Sequence, residues 1–316
     1  MLSSAARLGS RLLCLKRALS ASSTMEALVL RNSDFEETIE HIAQLESKIV
    51  TMEIKQSVSA AQLKHLSSVF QDLHSCQVER LILFHDSIDG RKADALSTLI
   101  RLPSFASLID LNLTSTSLSP DSLSLLFSAL SDNDVKLRYL ELDSNPTLEG
   151  DLSPLASFPS PLQSLSELCL DADCITSSSL HTLLTLLETN TLSQMTSLHL
   201  RENELHDADV KLLLPSLDTY CPVLQTLGLS YNPITQNGLE WMKSFFQKGS
   251  MASLSELQIL IPDFQGTPKM RELQQAFCQG LQPLDKNMAA FCTFFRHGAE
   301  IDEDDLSDFL EDDDED

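Results

Sequence analysis

Residues 195–217 read MTSLHLRENELHDADVKLLLPSL. Met195, Leu198 and Leu200 keep the L-x-x-L-x-L spacing of a short strand with one buried face. Asn203 follows three residues after Leu200. Val210, Leu213, Leu214 and Leu217 then fall at i, i+3, i+4 and i+7, the stripe of an amphipathic helix. Asp207 stands where an N-cap is expected. Neither the strand nor the helix can bury its apolar face alone, so the segment needs a neighbour of the same kind.

The neighbours are present. The same strand spacing occurs at Val78/Leu81/Leu83, Leu108/Leu111/Leu113, Leu137/Leu140/Leu142, Leu165/Leu168/Leu170, Leu224/Leu227/Leu229 and Leu254/Leu257/Ile259. Residues 50–54 and 28–30 extend the series upstream. The last apolar positions are 30, 54, 83, 113, 142, 170, 200, 229 and 259, so that seven of the eight steps lie within one residue of 29. A fixed period of this length marks a repeat array. Helical stripes recur at Leu123, Leu126, Phe127, Leu130 and at Leu180, Leu183, Leu184, Leu187, the former after Ser119-Pro120, an N-cap with Pro at the first helical position. The pattern predicts an α/β leucine-rich repeat solenoid of about nine strand–helix units, with a parallel concave sheet and helices on the convex side. Asn145, Asn203 and Asn232 occupy the turn position whose amide bonds the backbone, with Asp86, Thr116 and Asp173 in their place elsewhere. Residues 146–161 contain four prolines, which exclude a full helix there and predict a loop or a single turn. Phe35, Ile39, Ile42 and Leu45 form an opening cap, and the Phe-rich residues 268–297 a closing one.

The domain reading is therefore an extension at 1–24, a repeat domain at 25–297 and an acidic tail at 298–316. The extension carries four cations and no acid, the composition of a mitochondrial presequence; the alternative is that Met25 is the working start. The tail holds 12 of the acids and no base, and is expected to remain unfolded and to meet a basic protein surface. The formal net charge of −24 excludes a general nucleic-acid binder. Seven cysteines without a C-x-x-C pair suit free thiols in a reducing compartment. Cys169 and Cys174 lie close together but have no His or Cys beside them in sequence, so zinc is not expected there. No apolar run reaches the length of a membrane span. Neither a metal nor a cofactor is expected, and the chain is expected to be monomeric.

The eight histidines are scattered, and G-x-S-x-G, G-x-x-x-x-G-K and H-E-x-x-H are all missing from the chain, so an enzyme with its own active site is not expected. The x of each L-x-L is Glu53, Ile82, Asn112, Glu141, Cys169, His199, Gly228 or Gln258, a row without a dominant sign. The rim beyond the strands offers Phe84, Asp86, Asp143, Arg201 and Tyr231, with Tyr139 on the strand itself, as contacts for a protein partner. Between Phe84 and Leu96 the sequence FHDSIDGRKADAL places Gly90, Arg91 and Lys92 on the expected strand-to-helix connection.

Phe84, Asp86, Gly90-Arg91 and Asp94 in the third unit, Asn145 after the fifth strand and the acidic tail together resemble the Ran GTPase-activating protein family. The resemblance covers roughly residues 26–316. It implies stimulation of GTP hydrolysis by a Ran-type small GTPase, acting mainly by ordering the GTPase's own glutamine. Arg91 would then be a rim contact near the nucleotide site with Asn145 helping the positioning, Lys92 would be a further contact to the GTPase, and the protein would be found in the cytosol and at the nuclear rim. The acidic leucine-rich nuclear phosphoproteins also join repeats to an acidic tail, which leaves a non-catalytic binder of histones or other basic partners as the alternative. A mitochondrial assembly factor is the reading that takes residues 1–24 at face value.

Overall fold

The computed structural model describes residues 26–33, 35–42, 49–55, 58–71, 77–172 and 175–259. Within them the chain alternates strand and helix: β1 (Glu26–Leu30), α1 (Phe35–Ile42), β2 (Ile49–Ile54), α2 (Ala60–Gln71), β3 (Arg80–Leu83), α3 (Gly90–Ile100), β4 (Asp110–Asn112), α4 (Pro120–Asp132) and β5 (Tyr139–Glu141). There follow α5 (Ser153–Ser157), β6 (Glu167–Cys169), α6 (Leu180–Glu188), β7 (Ser197–His199), α7 (Asp207–Tyr220), β8 (Thr226–Gly228), α8 (Gln236–Phe246) and β9 (Glu256–Gln258). The nine strands form one parallel sheet in sequence order. The sheet and its convex helices make the expected α/β leucine-rich repeat solenoid.

Register follows the leucines. Leu81, Leu111, Leu140, Leu168, Leu198, Leu227 and Leu257 are partners across successive strands. Each points into a core that runs without a break from Leu28 to Ile259 and is almost wholly aliphatic. Each buried leucine contributes roughly 1.5–3 kcal/mol, so every unit is stabilised chiefly by the units above and below it. Of the helical stripes, Leu123, Leu126, Phe127, Leu130, Val210, Leu213, Leu214 and Leu217 are buried as expected. In α6, however, Leu186 takes the fully buried place and Leu184 is only half-buried.

Helix starts follow local chemistry. Ser119 accepts a hydrogen bond from the Ser122 N–H and Pro120 opens α4. The cap of α7 is His206 rather than Asp207; Asp209 accepts from the His206 N–H and closes the capping box. Asp207 instead reaches the next unit, where its carboxylate accepts from the Thr235 N–H at 2.8 Å and its Oγ1 at 2.6 Å. The proline-rich fifth unit has no full helix. It is built from a 3-10 turn at Pro146–Leu148, the five-residue α5 and a second 3-10 turn at Ser160–Leu162.

One backbone feature repeats. From β3 to β8 the second residue after the strand's last apolar position is left-handed: His85, Ser115, Ser144, Ala172, Glu202 and Tyr231 have φ between 52° and 61°. None is glycine. The chain reverses there, and the next residue turns inward: Thr116, Asn145, Asn203 and Asn232 are buried at that position. Their side chains hold the turn. In the first unit Phe35, Ile39 and Ile42 are buried as expected. Leu45, Asp173, the extension at 1–24, the closing cap at 268–297 and the tail at 298–316 lie outside the described residues. No helix among the described residues is long and apolar enough to cross a membrane.

Candidate functional site: the concave face and its rim

Each short strand turns two side chains toward the concave face, and the in-register sheet lines these up in two rows. One runs Thr51, Arg80, Asp110, Tyr139, Glu167, Ser197, Thr226, Glu256; the other runs Glu53, Ile82, Asn112, Glu141, Cys169, His199, Gly228, Gln258. The second row alone has no dominant sign. Both rows together hold five acids, Glu53, Asp110, Glu141, Glu167 and Glu256, against one basic residue with a permanent charge, Arg80. Glu141 and Glu256 rest against neutral groups, which leaves their charge in place: the Asn112 amide donates to Glu141 and the Gln258 amide to Glu256. Glu53 pairs with the Lys55 ammonium, one step beyond the row. Arg80 Nε lies 3.8 Å from Asp110. Burial nevertheless lifts the Asp110 carboxyl to about 6, with Arg80 opposing and Glu167 adding to the rise. Tyr139 stands between Asp110 and Glu167 in the row and is 38% exposed, unusual for so large a side chain here.

The rim is tied from unit to unit. Asp143 Oδ1 accepts from the Asp171 N–H at 2.8 Å, and Asp171 Oδ1 accepts from the Arg201 N–H at 2.6 Å. Arg201 Nε donates to Asp171 Oδ2 at 2.8 Å. Burial by itself would lower the Arg201 guanidinium, but Asp171 holds it above its ordinary value. Asp143 and Arg201, both expected as contacts, are thus half-buried links of this chain. Phe84 is half-buried with its ring edge-on to His85, centroids 4.1 Å apart. Tyr231 is half-buried at a left-handed turn position, and burial and Glu202 raise its phenol.

The stretch around Arg91 differs from expectation. Gly90, Arg91 and Lys92 are the first turn of α3, because Asp89 caps the helix by accepting from the Lys92 N–H. Lys92 is not a surface contact. Its ammonium pairs with Asp86, and both side chains are under 10% exposed. Asn145 is likewise not a surface contact: it is 0% exposed. Its Oδ1 accepts from the N–H groups of Thr116 and Leu118 and from Thr116 Oγ1, and its Nδ2 donates to the carbonyls of Leu113, Leu142 and Asp143. Arg91 is exposed. It borders a shallow surface hollow with Ala60, Ala61, Lys64 and Asp94.

Register also brings together groups that are far apart in sequence. Cys169 on β6 is the partner of His199 on β7, and Glu167 lies two residues before Cys169 on the same face. His199 Nε2 is 3.5 Å and Cys169 Sγ 3.9 Å from Glu167 Oε1. Along the chain Cys169 has no His or Cys beside it. The relevant neighbour is one repeat away, 30 residues on, and the repeat period itself was the signal that could have found it. Cys174 lies outside the described residues. Cys169 and Cys221 are buried, and burial pushes the Cys221 thiol up to about 12.

No protein-family model and no curated protein matches the chain. Among solved structures it is similar to LegL7, a leucine-rich repeat-containing protein from Legionella pneumophila, at 18% identity over 79% of this chain and 77% of that one, TM-score 0.45. It is similar to a protein from Bacteroides fragilis at 16% identity over 84% and 85%, TM-score 0.42. It is similar to TLR13 in its complex with ssRNA13 at 19% identity over 75% of this chain, TM-score 0.44, and spans 33% of the TLR13 chain. The sheet order and leucine register described above identify the chain's fold on their own: a leucine-rich repeat solenoid with an acidic concave face.

Proposed function

We propose that the protein is a binding module that takes a basic segment of a protein partner on its concave face and acts by binding rather than by chemistry of its own. The supporting observation is the pair of inward rows, whose five acids outnumber the two cations Arg80 and Lys55 that pair with Asp110 and Glu53, with the exposed Tyr139 ring between Asp110 and Glu167. An arginine or lysine of the partner laid over that ring meets an aromatic face and flanking carboxylates at once. The acidic tail would add long-range attraction to the same kind of surface. The test is titration with an Arg/Lys-rich peptide, such as a histone tail, and with its Glu-substituted counterpart, with and without residues 298–316. Selective binding of the basic peptide that weakens with salt, and weakens at least about tenfold in Tyr139→Ala, is the expected result. Equal binding of both peptides, or an unchanged Tyr139→Ala, refutes it.

The narrower reading is stimulation of a Ran-type small GTPase. Its support within this chain is Arg91, an exposed guanidinium in the first turn of α3, next in sequence to Lys92, which pairs with Asp86. A guanidinium offered from outside can order or neutralise a phosphoryl-transfer site. Phosphate release from GTP-loaded Ran, followed with the native protein and with Arg91→Ala, tests it. No stimulation by the native protein, or equal stimulation by both, counts against it. This reading carries the cytosolic and perinuclear location with it. N-terminal sequencing of the mature protein tests the mitochondrial alternative.

A further inference from the structure

We propose that Glu167, Cys169 and His199 form a site for a divalent transition ion of the zinc class, with a fourth coordination position open to the concave groove. One oxygen, one sulfur and one nitrogen lie within 4.8 Å of one another. Tetrahedral zinc with bonds of about 2.0–2.3 Å sets its ligands about 3.4 Å apart for nitrogen and oxygen, and about 3.6 Å apart for sulfur and oxygen. The observed separations are 3.5 Å and 3.9 Å. The sulfur–nitrogen separation lies within 4.8 Å, so side-chain rotation on fixed strands is the movement that would close the site. Thiolate and imidazole favour zinc over calcium or magnesium, which take oxygen ligands.

The scaffold suits the task. Glu167 and Cys169 share a strand face and His199 is in register on the adjoining strand, so the sheet itself fixes the spacing. Gly228 is next in the row. A Cβ there would stand 3.3 Å from His199 Nδ1, so glycine leaves the imidazole the room to lie over β8. His199 Nδ1 is buried without a hydrogen-bond partner among the described residues. The nitrogen that faces Glu167 is Nε2, which is therefore the atom that would take the ion. The carboxylate and imidazole edges remain slightly open to the groove, at 12% and 13% exposed. A divalent ion held by one thiolate, one carboxylate and a neutral imidazole makes a locally neutral centre in the acidic face. The fourth ligand is then water or a donor from whatever occupies the groove.

Ion binding can be read without any partner, so it stands or falls separately from the function proposed above. The full chain, freed of metal with a chelator and kept reduced, is titrated with Co2+ and then with Zn2+. The expected result is one equivalent bound, with a near-ultraviolet thiolate-to-cobalt band and a tetrahedral visible band, both abolished by zinc. Cys169→Ser removes the thiolate band, whereas Cys221→Ser keeps it. Glu167→Gln, at the groove surface and least able to disturb the core, weakens zinc by about tenfold or more, with circular dichroism unchanged. The absence of a thiolate band in the native chain, or its persistence in Cys169→Ser, or unchanged zinc affinity in Glu167→Gln, overturns the proposal and leaves a simple Glu167–His199 contact.

Discussion

Asn145→Ala separates the structural role of this residue from any role in contacting a partner. In the native chain its carboxamide completes the turn of its own unit and the turn of the unit before it. Alanine leaves the N–H groups of Thr116 and Leu118 without that acceptor. Both residues are 0% exposed, so water has no ready access to replace it. A buried donor left unsatisfied costs about 1–3 kcal/mol, and two therefore cost about 2–6 kcal/mol. Against a total of roughly 5–15 kcal/mol for a folded domain, that is a large fraction. Urea unfolding followed by far-ultraviolet circular dichroism is expected to show a clearly lowered midpoint with little change in slope. Arg91→Ala in the same assay is expected to stay within about 0.5 kcal/mol of the native chain. A loss below about 1 kcal/mol for Asn145→Ala would refute the reasoning, since it would mean that the coils do not depend on the shared amide. If GTPase stimulation exists, its loss in Asn145→Ala should track unfolding rather than precede it.

Lys92→Ala strips the partner from the nearly buried Asp86 carboxylate and should cost about 3 kcal/mol in thermal or urea unfolding; a change under about 0.5 kcal/mol would show that the pair is solvated. Asp110 should make stability fall as pH rises from about 4 to about 6, because the folded chain holds a proton there that the unfolded chain has released. The lift of about two pH units corresponds to roughly 2–3 kcal/mol, and Asp110→Asn should flatten that part of the pH–stability curve; an unaltered curve would show that Asp110 titrates normally. Cys221, with its thiol pushed up to about 12, should resist alkylation by iodoacetamide at pH 8 until urea is added, as read by peptide mass spectrometry. Labelling of the native chain at the rate of a free thiol would contradict its burial.

The fold was legible because its information is periodic. Leu111, Leu140, Leu168 and Leu198 announce their partners by spacing alone, and parallel register requires nothing more. The four prolines at 146–161 likewise announced a unit without its helix. Side-chain roles were less legible, for two physical reasons. Capping is decided by which polar group reaches an N–H first, so Asp89 drew Arg91 and Lys92 into a helix and His206 displaced Asp207 as a cap. Burial of polar groups depends on the adjoining unit: Asn145 and Lys92 look like surface residues until Thr116 and Asp86 are set beside them. The concave acids and the Glu167–Cys169–His199 group were hidden for a related reason. Their neighbours lie one period away, and only a reading taken across the repeats, rather than along the chain, brings them together.

The left-handed residues after the strands have a consequence of a metrical kind. Each non-glycine residue in that conformation costs about 1 kcal/mol relative to glycine, yet all six positions from His85 to Tyr231 carry side chains. The backbone geometry is the same each time while the side chain is free to vary. Adjacent strands lie about 4.8 Å apart, so the five intervals from the third unit to the eighth span about 24 Å along the sheet. That is about the length of seven residues of extended chain at roughly 3.3 Å each. The rim is thus a graduated scale, marked once per repeat with His, Ser, Ser, Ala, Glu and Tyr, its graduations about half as far apart again as the residues of an extended chain.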